Sequence, residues 1–476
     1  MEEYRVVGNE MGDLIDRSYI KPNNERVEIT ALKSIKSSFL NNIAISLSRM
    51  IMTANLIILG HTLYDNKEQC GLFLIFQTGI IIIEILGKFF ITGLIKYLFE
   101  DKEDNNEFNA LYIRMKSLLV ILILLFLAPI CLFFPSFIME ELLKLYLDIF
   151  NQALINEFYY KFLIFSPVIF LFELLLLLNL HFLKYQKKMK EVFTYVLSFL
   201  VCHFSLSCIL VYILEMGLIG LTISYLANTF IFYLFTNQYI KKSHEEMSQN
   251  NFFLFPSSSN FDAQIFNLLK EKSILSFLNL GDIIFLYCLF FMSLFTDREQ
   301  LIVNIIYLNF YELVVFINKG FYFSLKNYIS TKIEEASKRQ KYVLFYTFYF
   351  MVLVLILFIL LILFKNILLD IYLGEGEKTL VKICYQLRIF YPICILLNGI
   401  RIILNGMIRG MNIPLPMIKK ILYIIVSIII SYVICFRYEY GILGLWISAF
   451  ILNVFFILEN IHKAVIYFPQ FFNSYI

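Results

Sequence analysis

Apolar blocks of roughly 20 residues recur along the whole sequence, separated by shorter polar segments. A helix rises about 1.5 Å per residue, so a block of about 20 residues crosses the roughly 30 Å of hydrocarbon in a bilayer. Strands of a membrane barrel would alternate apolar and polar residues, whereas the run 353–363 is apolar on every face. The pattern therefore predicts an all-α polytopic membrane protein. Its twelve predicted spans are 39–62, 71–98, 117–138, 160–183, 192–213, 217–236, 274–296, 301–322, 342–367, 381–405, 416–436 and 441–462.

Composition agrees with a membrane protein, since 60% of the residues are hydrophobic, 16% are charged and the mean hydropathy is +0.75. A soluble domain could not bury that much apolar surface. The eight Cys and five His residues form no CxxC pair, zinc box or recognisable catalytic set. We therefore expect a protein that is not an enzyme and that has no metal, no cofactor and no nucleic-acid partner.

Basic residues are distributed unevenly between the two sets of loops. The tail 1–38 and the loops on its side of the membrane hold 25 of the 40 Lys and Arg residues, whereas the opposite loops hold five. Under the positive-inside rule this bias predicts that both termini are cytoplasmic. Because the tail is too polar to be a cleaved signal peptide, we expect the first span to serve as the targeting signal. We expect a monomer that resides in the plasma membrane or an endomembrane.

Two segments near the ends of the predicted halves repeat each other. Residues 217–224 read GLIGLTIS and residues 441–448 read GILGLWIS, with five of eight positions identical at an offset of 224. The same offset aligns 181–188 with 405–412. We infer a duplication into two six-helix lobes of the same orientation, related by a pseudo-two-fold axis near the membrane normal, a frequent design of secondary transporters. The predicted domains are an N-terminal tail (1–38), an N-lobe (39–236), a cytoplasmic linker (237–273), a C-lobe (274–463) and a C-terminal tail (464–476).

Short motifs in both lobes resemble those of the multidrug and toxic compound extrusion (MATE) transporters of the flippase superfamily, in a divergent, eukaryotic-like form. Residues 398–410, NGIRIILNGMIRG, are similar to the end of that family's tenth helix, and 182–186, FLKYQ, to the end of its fourth. The pairs at 60–61 (GH) and 78–79 (TG) resemble motifs of the first two helices, and 441–448 resembles the opening of the twelfth. The resemblance implies a MATE-like fold and a transport function.

The chain also departs from that family's pattern at informative positions. Asn398 stands where the resemblance implies an acidic residue, and Arg401 stands where it implies a Gln. The glycine-rich loops that follow the second and eighth helices in the family are replaced here by charged segments. A basic loop typical of the major facilitator fold is also absent after the second span, where residues 100–106 read EDKEDNN.

Ionisable residues within spans are costly and usually serve a function, which makes them the best candidates for a site. Asp282 in the seventh span and Glu312 in the eighth are the candidates for ion coupling, and the resemblance implies a coupling Glu at the position of Asp282. Arg49 and Glu84 are predicted to form a structural ion pair, because a paired charge is not available to a substrate. The candidates for the substrate cavity are Gln77, Tyr287, Asn398 and Arg401.

The leading functional hypothesis is cation-coupled antiport, with proton or sodium, of small organic solutes, cationic ones above all, by alternating access of the two lobes. The expected partners are therefore the organic solute, the coupling ion and the membrane lipid. One alternative is flipping of lipid-linked oligosaccharides or lipids by another branch of the same superfamily, which the basic residues Arg49, Lys88 and Arg401 would favour. The other alternative is a membrane enzyme or a non-transporting scaffold, although an enzyme would ordinarily carry clustered His, Asp or Cys at the boundary of a span.

The charge bias generates a test of topology. A cysteine introduced at Ser257, in the linker, or in the N-terminal tail should resist an impermeant thiol reagent in intact cells, because both segments are expected inside. Labelling after permeabilisation serves as the control. Labelling of either cysteine from outside would contradict the orientation.

Overall fold

The computed structural model describes residues 47–61, 105–128, 162, 164–186, 188–243, 281–330, 336–364, 367–374, 378–411, 413 and 417–473. Their regular structure is entirely helical. Thirteen α-helices occur in the order α1 (Leu47–Gly60), α2 (Asn105–Leu122), α3 (Ser166–Tyr185), α4 (Met189–Cys208), α5 (Gly217–Ser243), α6 (Gly281–Ser293), α7 (Arg298–Ser330), α8 (Ala336–Leu363), α9 (Ile367–Leu373), α10 (Lys378–Leu387), α11 (Phe390–Gly410), α12 (Met417–Tyr432) and α13 (Ile442–Asn473).

Among the described residues, eight helices are long and apolar enough to cross a membrane, and Met50–Gly60 and Ile284–Ser293 are shorter apolar helices. The predicted span 71–98 lies outside the described residues. The other predicted spans contain or overlap helices, which confirms the all-helical reading of the apolar blocks. Several helices extend past the predicted bounds. For example, α7 runs to Ser330 and α5 to Ser243.

The predicted span 381–405 needs a correction, because it covers two helices instead of one. Helix α10 ends at Leu387, and α11 begins at Phe390 after a turn at Arg388 and Ile389. Pro392 lies in the first turn of α11, where a residue without an N–H is tolerated because the first turn has no intrahelical acceptors for its donors. The membrane-spanning helix is therefore Phe390–Gly410.

The described chain separates into two compact units. The N-terminal unit comprises the described residues between Leu47 and Ile284, together with Ile371–Gly374. The C-terminal unit comprises Phe285–Asp370 and the described residues after Glu375. In the N-terminal unit α5 packs against α3 and α4, and in the C-terminal unit α11 packs against α7, α8 and α13.

Residues Ile371–Gly374 lie against the end of α1 within the N-terminal unit. His61 directs Nε2 at the carbonyl oxygen of Ile371 at 3.0 Å. A Cβ at Gly60 would lie 1.8 Å from the carbonyl oxygen of Tyr372, so only glycine permits this approach. Gly374 has φ +73°, which ends α9 in the left-handed region. The Gly-His pair at 60–61 thus has a structural use at the end of α1.

The two units repeat one local geometry at the offset that the sequence repeat predicts. Helix α4 runs into a π-helical turn at Ile209–Ile213, and α12 runs into one at Val433–Arg437. After each turn the chain reverses through matching residues with positive φ. These are Glu215 (52°), Gly217 (53°), Glu439 (58°) and Gly441 (54°).

Serine and glycine residues allow the helices to pack closely at each chain reversal. The hydroxyl groups of Ser207 and Ser224 are 2.6 Å apart, and Ser431 and Ser448, their equivalents in the repeat, form the same hydrogen bond. A Cβ at Gly220 would lie 2.9 Å from the backbone of Leu210, and one at Gly444 would lie 2.8 Å from the backbone nitrogen of Cys435. The five identities between 217–224 and 441–448 therefore include residues that the turn requires.

Helices α3 and α11 correspond in the same way but with a shift of one position. Their N-caps, Phe165 and Ile389, are separated by the offset of the repeat, whereas their C-caps, Gln186 and Met411, are separated by one position more. Helix α11 is accordingly slightly longer, with 21 residues against 20. The expected match of Gln186 with Gly410 stays a prediction.

The close approach of backbones predicts the effect of enlarging these glycines. Gly220→Val and Gly444→Val should each destabilise the protein by about 1–3 kcal/mol, because the added methyl groups meet backbone atoms that cannot move aside. Thermal stability in detergent, followed by size-exclusion chromatography, measures the effect. Ile223→Val, at an exposed position of α5, is the matched control. Wild-type stability of both glycine variants would contradict the close contact.

Candidate functional site

A cluster of aromatic and asparagine side chains joins three helices of the C-terminal unit. Trp446 of α13 donates its Nε1–H to Oδ1 of Asn304 on α7 at 3.2 Å. Its ring lies edge-on to those of Tyr391 on α11 and Tyr311 on α7, with centroids at 4.8 and 5.5 Å. The hydroxyl of Tyr391 donates to the carbonyl of Tyr307 at 3.0 Å. The only tryptophan of the chain therefore fixes the packing of α7, α11 and α13.

Four residues predicted for the site lie in this unit and are buried. Glu312 on α7 and Asn398 on α11 are 2% and 1% exposed, and Tyr287 on α6 and Arg401 on α11 are also buried. Asn398 and Arg401 are separated by about one helical turn, so they share one face of α11. The guanidinium carbon of Arg401 lies 5.1 Å from the ring centroid of Phe456 on α13. This is a cation–π distance.

Asn398 is chemically unusual within the C-terminal unit. Among the described residues, neither its Oδ1 nor its Nδ2 has a hydrogen-bond partner. A buried amide without partners costs about 1–3 kcal/mol, and such groups are normally satisfied by water or a ligand. Its burial on α11, a helix packed against α7 and α13, makes it suitable for holding a polar group inside the helix bundle.

The remaining predicted residues cannot be compared with side-chain positions. Asp282 lies in the first turn of α6 and Arg49 lies in α1, but their side chains are outside the described part of the chain. Gln77 and Glu84 lie outside the described residues entirely. The proposed pair of Arg49 with Glu84 therefore stays a prediction.

A second buried cluster lies in the N-terminal unit and brings together four helices. Tyr225 of α5 donates its hydroxyl hydrogen to Oε2 of Glu173 on α3. Nε2 of His203 on α4 is 2.8 Å from Oδ1 of Asn55 on α1, so the protonated ring nitrogen donates to the amide oxygen. The ring centroids of His203 and Tyr225 are 5.5 Å apart, and Phe199 stacks on the imidazole with the centroids 5.8 Å apart. We name Asn55, Glu173, His203 and Tyr225 the Glu173 cluster.

All four members of the Glu173 cluster are buried to 1% exposure or less. The cluster combines one carboxyl group, one imidazole, one phenol and one amide. The carboxyl group and the imidazole can each gain or lose a proton. When the carboxyl group of Glu173 is ionised, the phenol of Tyr225 can donate a hydrogen bond to it. The cluster therefore contains groups that can exchange a proton.

Sequence reasoning did not predict this cluster, because no local motif links Glu173 with His203 or Tyr225. The sequence did contain one indication of the cluster, namely the distance of each residue from the end of its predicted span. Glu173, His203 and Tyr225 lie about seven to ten residues from the helix ends that the topology prediction places outside, so they occupy similar depths. Comparing depths between predicted spans would have grouped them.

Further polar contacts lie closer to the predicted cytoplasmic ends of the same helices. Tyr112 on α2 donates to Oδ1 of Asn179 on α3 at 2.6 Å, and Asn179 donates to Oγ1 of Thr236 on α5 at 2.9 Å. Lys116 on α2 donates to Oδ1 of Asn237 on α5 at 2.8 Å. These hydrogen bonds hold α2, α3 and α5 together and satisfy polar groups that lipid could not.

Metal binding by clustered ligands finds no support in the described residues, where no group of three or more His, Cys, Asp or Glu side chains lies close enough to hold an ion.

Known proteins with the same fold were found by structure and not by sequence. No protein-family model matches the chain, and no curated protein matches it either. Among solved structures, the eukaryotic MATE transporter AtDTX14 superposes with a TM-score of 0.65 at 13% identity, over 94% of this chain and 99% of that one. An inward-facing multidrug resistance MATE transporter of the MOP superfamily matches with a TM-score of 0.67 at 12% identity, over 89% and 94%. A MOP superfamily transporter from Pyrococcus furiosus matches with a TM-score of 0.58 at 12% sequence identity, over 91% of this chain and 95% of that one.

These matches cover about nine-tenths of the chain and nearly the whole of each transporter. The chain therefore has the all-helical polytopic membrane fold of the MATE transporters, which confirms the fold class that the sequence motifs indicated. The low identities limit the conclusion to the fold.

The hydrogen bond between Tyr225 and Glu173 generates a stability test. Tyr225→Phe removes the donor and leaves the carboxyl group buried, so it should destabilise the protein by about 1–3 kcal/mol. In the background of Glu173→Gln the same change should cost less, because the interacting carboxyl group has already been replaced. Thermal unfolding of the purified protein in detergent measures both effects, with Tyr440→Phe at an exposed position as control. Identical costs in the two backgrounds would show that the two side chains do not interact.

Proposed function

We propose that this protein is a secondary active transporter that exchanges protons or sodium ions for small organic solutes, organic cations in particular. The observation that carries the proposal is the presence of a fully buried carboxyl group in each unit, within helices of a transporter fold. Glu173 is 0% exposed on α3 and Glu312 is 2% exposed on α7.

The cost of these carboxyl groups supports a role in coupling. A charged side chain at the centre of a membrane helix costs at least about 2.5–3.5 kcal/mol, so such residues persist where they bind ions or line a wet cavity. Hydrophobic residues of similar volume would stabilise either helix better. A carboxyl group that is neutral in one conformation and ionised or cation-bound in the other links solute movement to an ion gradient.

Asp282 and Glu312 are our candidates for coupling in the second lobe, and we add the buried Glu173 of the N-terminal unit as a third candidate. Each candidate lies within or at the start of an apolar helix, on α6, α7 and α3 respectively. The Glu173 cluster has its donors and acceptors already assembled, so it can change its proton occupancy with little rearrangement. Asn398 is the candidate for orienting a polar group of the solute, because its buried amide has no other described partner.

A flippase for lipids or lipid-linked oligosaccharides is the second candidate, and Arg401 is the residue that favours it. A buried guanidinium suits an anionic phosphate group better than an organic cation. The matching transporter from Pyrococcus furiosus is itself described by a reversed polarity of its binding pocket, which suggests a different function for that protein. Substitution of Arg401 separates the two functions.

The coupling hypothesis is tested by efflux of fluorescent organic cations from liposomes with an imposed pH or sodium gradient. Asp282→Asn, Glu173→Gln and Glu312→Gln each remove a titratable group with little change of shape. At least one should reduce uphill transport by tenfold or more while leaving yield and solute binding close to wild type, and Asp282→Glu should keep part of the activity. Glu439→Gln, at an exposed position, is the control. Full gradient-driven transport in all three neutral variants would contradict coupling by these carboxyl groups.

The variant Arg401→Gln decides between the two substrates. Antiport of organic cations should be retained or increased when this positive charge is removed, because like charges repel. A flippase should lose movement of fluorescent anionic lipid between leaflets and should not transport the cations. Loss of cation transport with unchanged folding would contradict the proposal for organic cations.

A further inference from the structure

Lysines from three helices converge at one end of the N-terminal unit. Lys184 lies in the last turn of α3, Lys188 is the N-cap of α4, Lys190 lies in the first turn of α4, and Lys241 and Lys242 lie in the last turn of α5. Lys190, Lys241 and Lys242 are exposed, and Lys184 and Lys188 are half-buried. We call these five residues the lysine rim.

Side-chain contacts bring the helix ends of the lysine rim together. The hydroxyl of Tyr239 on α5 is 3.5 Å from Oε1 of Glu191 on α4, and the ring of Tyr239 is 6.0 Å from that of Tyr195. Nζ of Lys188 lies 5.1 Å from the centroid of the Tyr239 ring, within cation–π distance. Lys242 follows Tyr239 by about one helical turn, so it extends from the same face of α5. Lys188 and Lys242 therefore flank one small surface.

The charge of this surface is strongly positive. Glu191 is the only acidic residue of α4 and the described residues of the α3–α4 turn, and α5 contains none. Among the described residues of these helix ends, five positive charges and one negative charge lie beside a pair of half-buried tyrosine rings. Aromatic rings next to lysines are typical of the depth at which lipid head groups meet the acyl chains.

From this geometry we infer that the lysine rim is a binding site for the head group of an anionic phospholipid. Lys188 and Lys242 contact the phosphate, and Lys190 and Lys241 extend the attraction to a second acidic group of the head. The rings of Tyr195 and Tyr239 lie along the upper part of the acyl chains. Clusters of four to eight basic residues at a helix end bind anionic lipids, with about 1 kcal/mol contributed by each residue near the surface.

Lipid binding at the lysine rim requires no movement of solute, so it is separate from transport. The positive-inside rule requires an excess of basic residues on one side of the membrane, but it does not require that lysines from three helices converge. Convergence follows from the contacts of Tyr239 with α4 and from the packing of α5 against α3 and α4.

Binding can be measured with full-length protein purified in a neutral detergent and fluorescent phosphatidylglycerol as the probe. Unlabelled phosphatidylglycerol should compete, whereas phosphatidylcholine and inorganic phosphate should compete at least tenfold less well. Lys188→Gln with Lys242→Gln should weaken binding roughly tenfold or more, and Glu191→Gln should strengthen it, since about 1.4 kcal/mol corresponds to tenfold. Affinity should fall as salt is added.

The matched control is Lys382→Gln, which removes an exposed lysine from α10, next to the predicted outer end of α11. It should bind phosphatidylglycerol as the wild type does. If the double variant folds poorly, Lys190→Gln with Lys241→Gln changes only exposed side chains and should weaken binding several-fold. Unchanged affinity in folded lysine variants, or competition by inorganic phosphate equal to that of the lipid, would overturn the proposal.

Discussion

The absence of water from the hydrocarbon core is the constraint on which the rest of this structure depends. A polar side chain within a span is costly unless it finds a partner on a neighbouring helix, on its own helix backbone or in a bound water or ligand. The described polar contacts follow that rule, from Trp446 with Asn304 in one unit to His203 with Asn55 in the other. The same contacts that satisfy polar groups therefore determine which helices pack together, and they concentrate ionisable residues in the interior of each unit.

The two units share the same backbone geometry at their chain reversals, but they differ in their buried polar side chains. The π-helical turns, the serine pairs and the glycine contacts recur in both units because each reversal needs the same close packing. The corresponding helices α3 and α11 each bury a polar side chain, the carboxyl group of Glu173 in one and the amide of Asn398 in the other. Glu173 has Tyr225 as donor, whereas Asn398 has no described partner. The buried polar groups of these two helices therefore differ, although each unit contains a buried carboxyl group, Glu173 on α3 and Glu312 on α7.

Much of the fold could be predicted from sequence, and less of the site. Apolar blocks define spans because hydrocarbon thickness sets their length, and matching glycines revealed the repeat because a Cβ cannot fit at those turns. The break at Arg388 was missed because the predicted span was extended across the polar residues Gln386 and Arg388 into the preceding helix. The Glu173 cluster was missed for a different reason, since its members come from four helices and only packing shows which faces meet. The burial of Asn398, Arg401 and Glu312 could be predicted, because a polar residue inside an apolar span is costly when it faces lipid.

The central claim is that solute crosses the membrane in exchange for a cation. It is tested most directly by counterflow in liposomes that contain the wild-type protein and a fluorescent indicator for protons or sodium, without an imposed gradient. Addition of an organic cation on one side should move protons or sodium ions to that side, in a fixed ratio to the solute taken up. Solute uptake with no movement of either ion, or no uptake of any solute by a folded protein, would contradict the account.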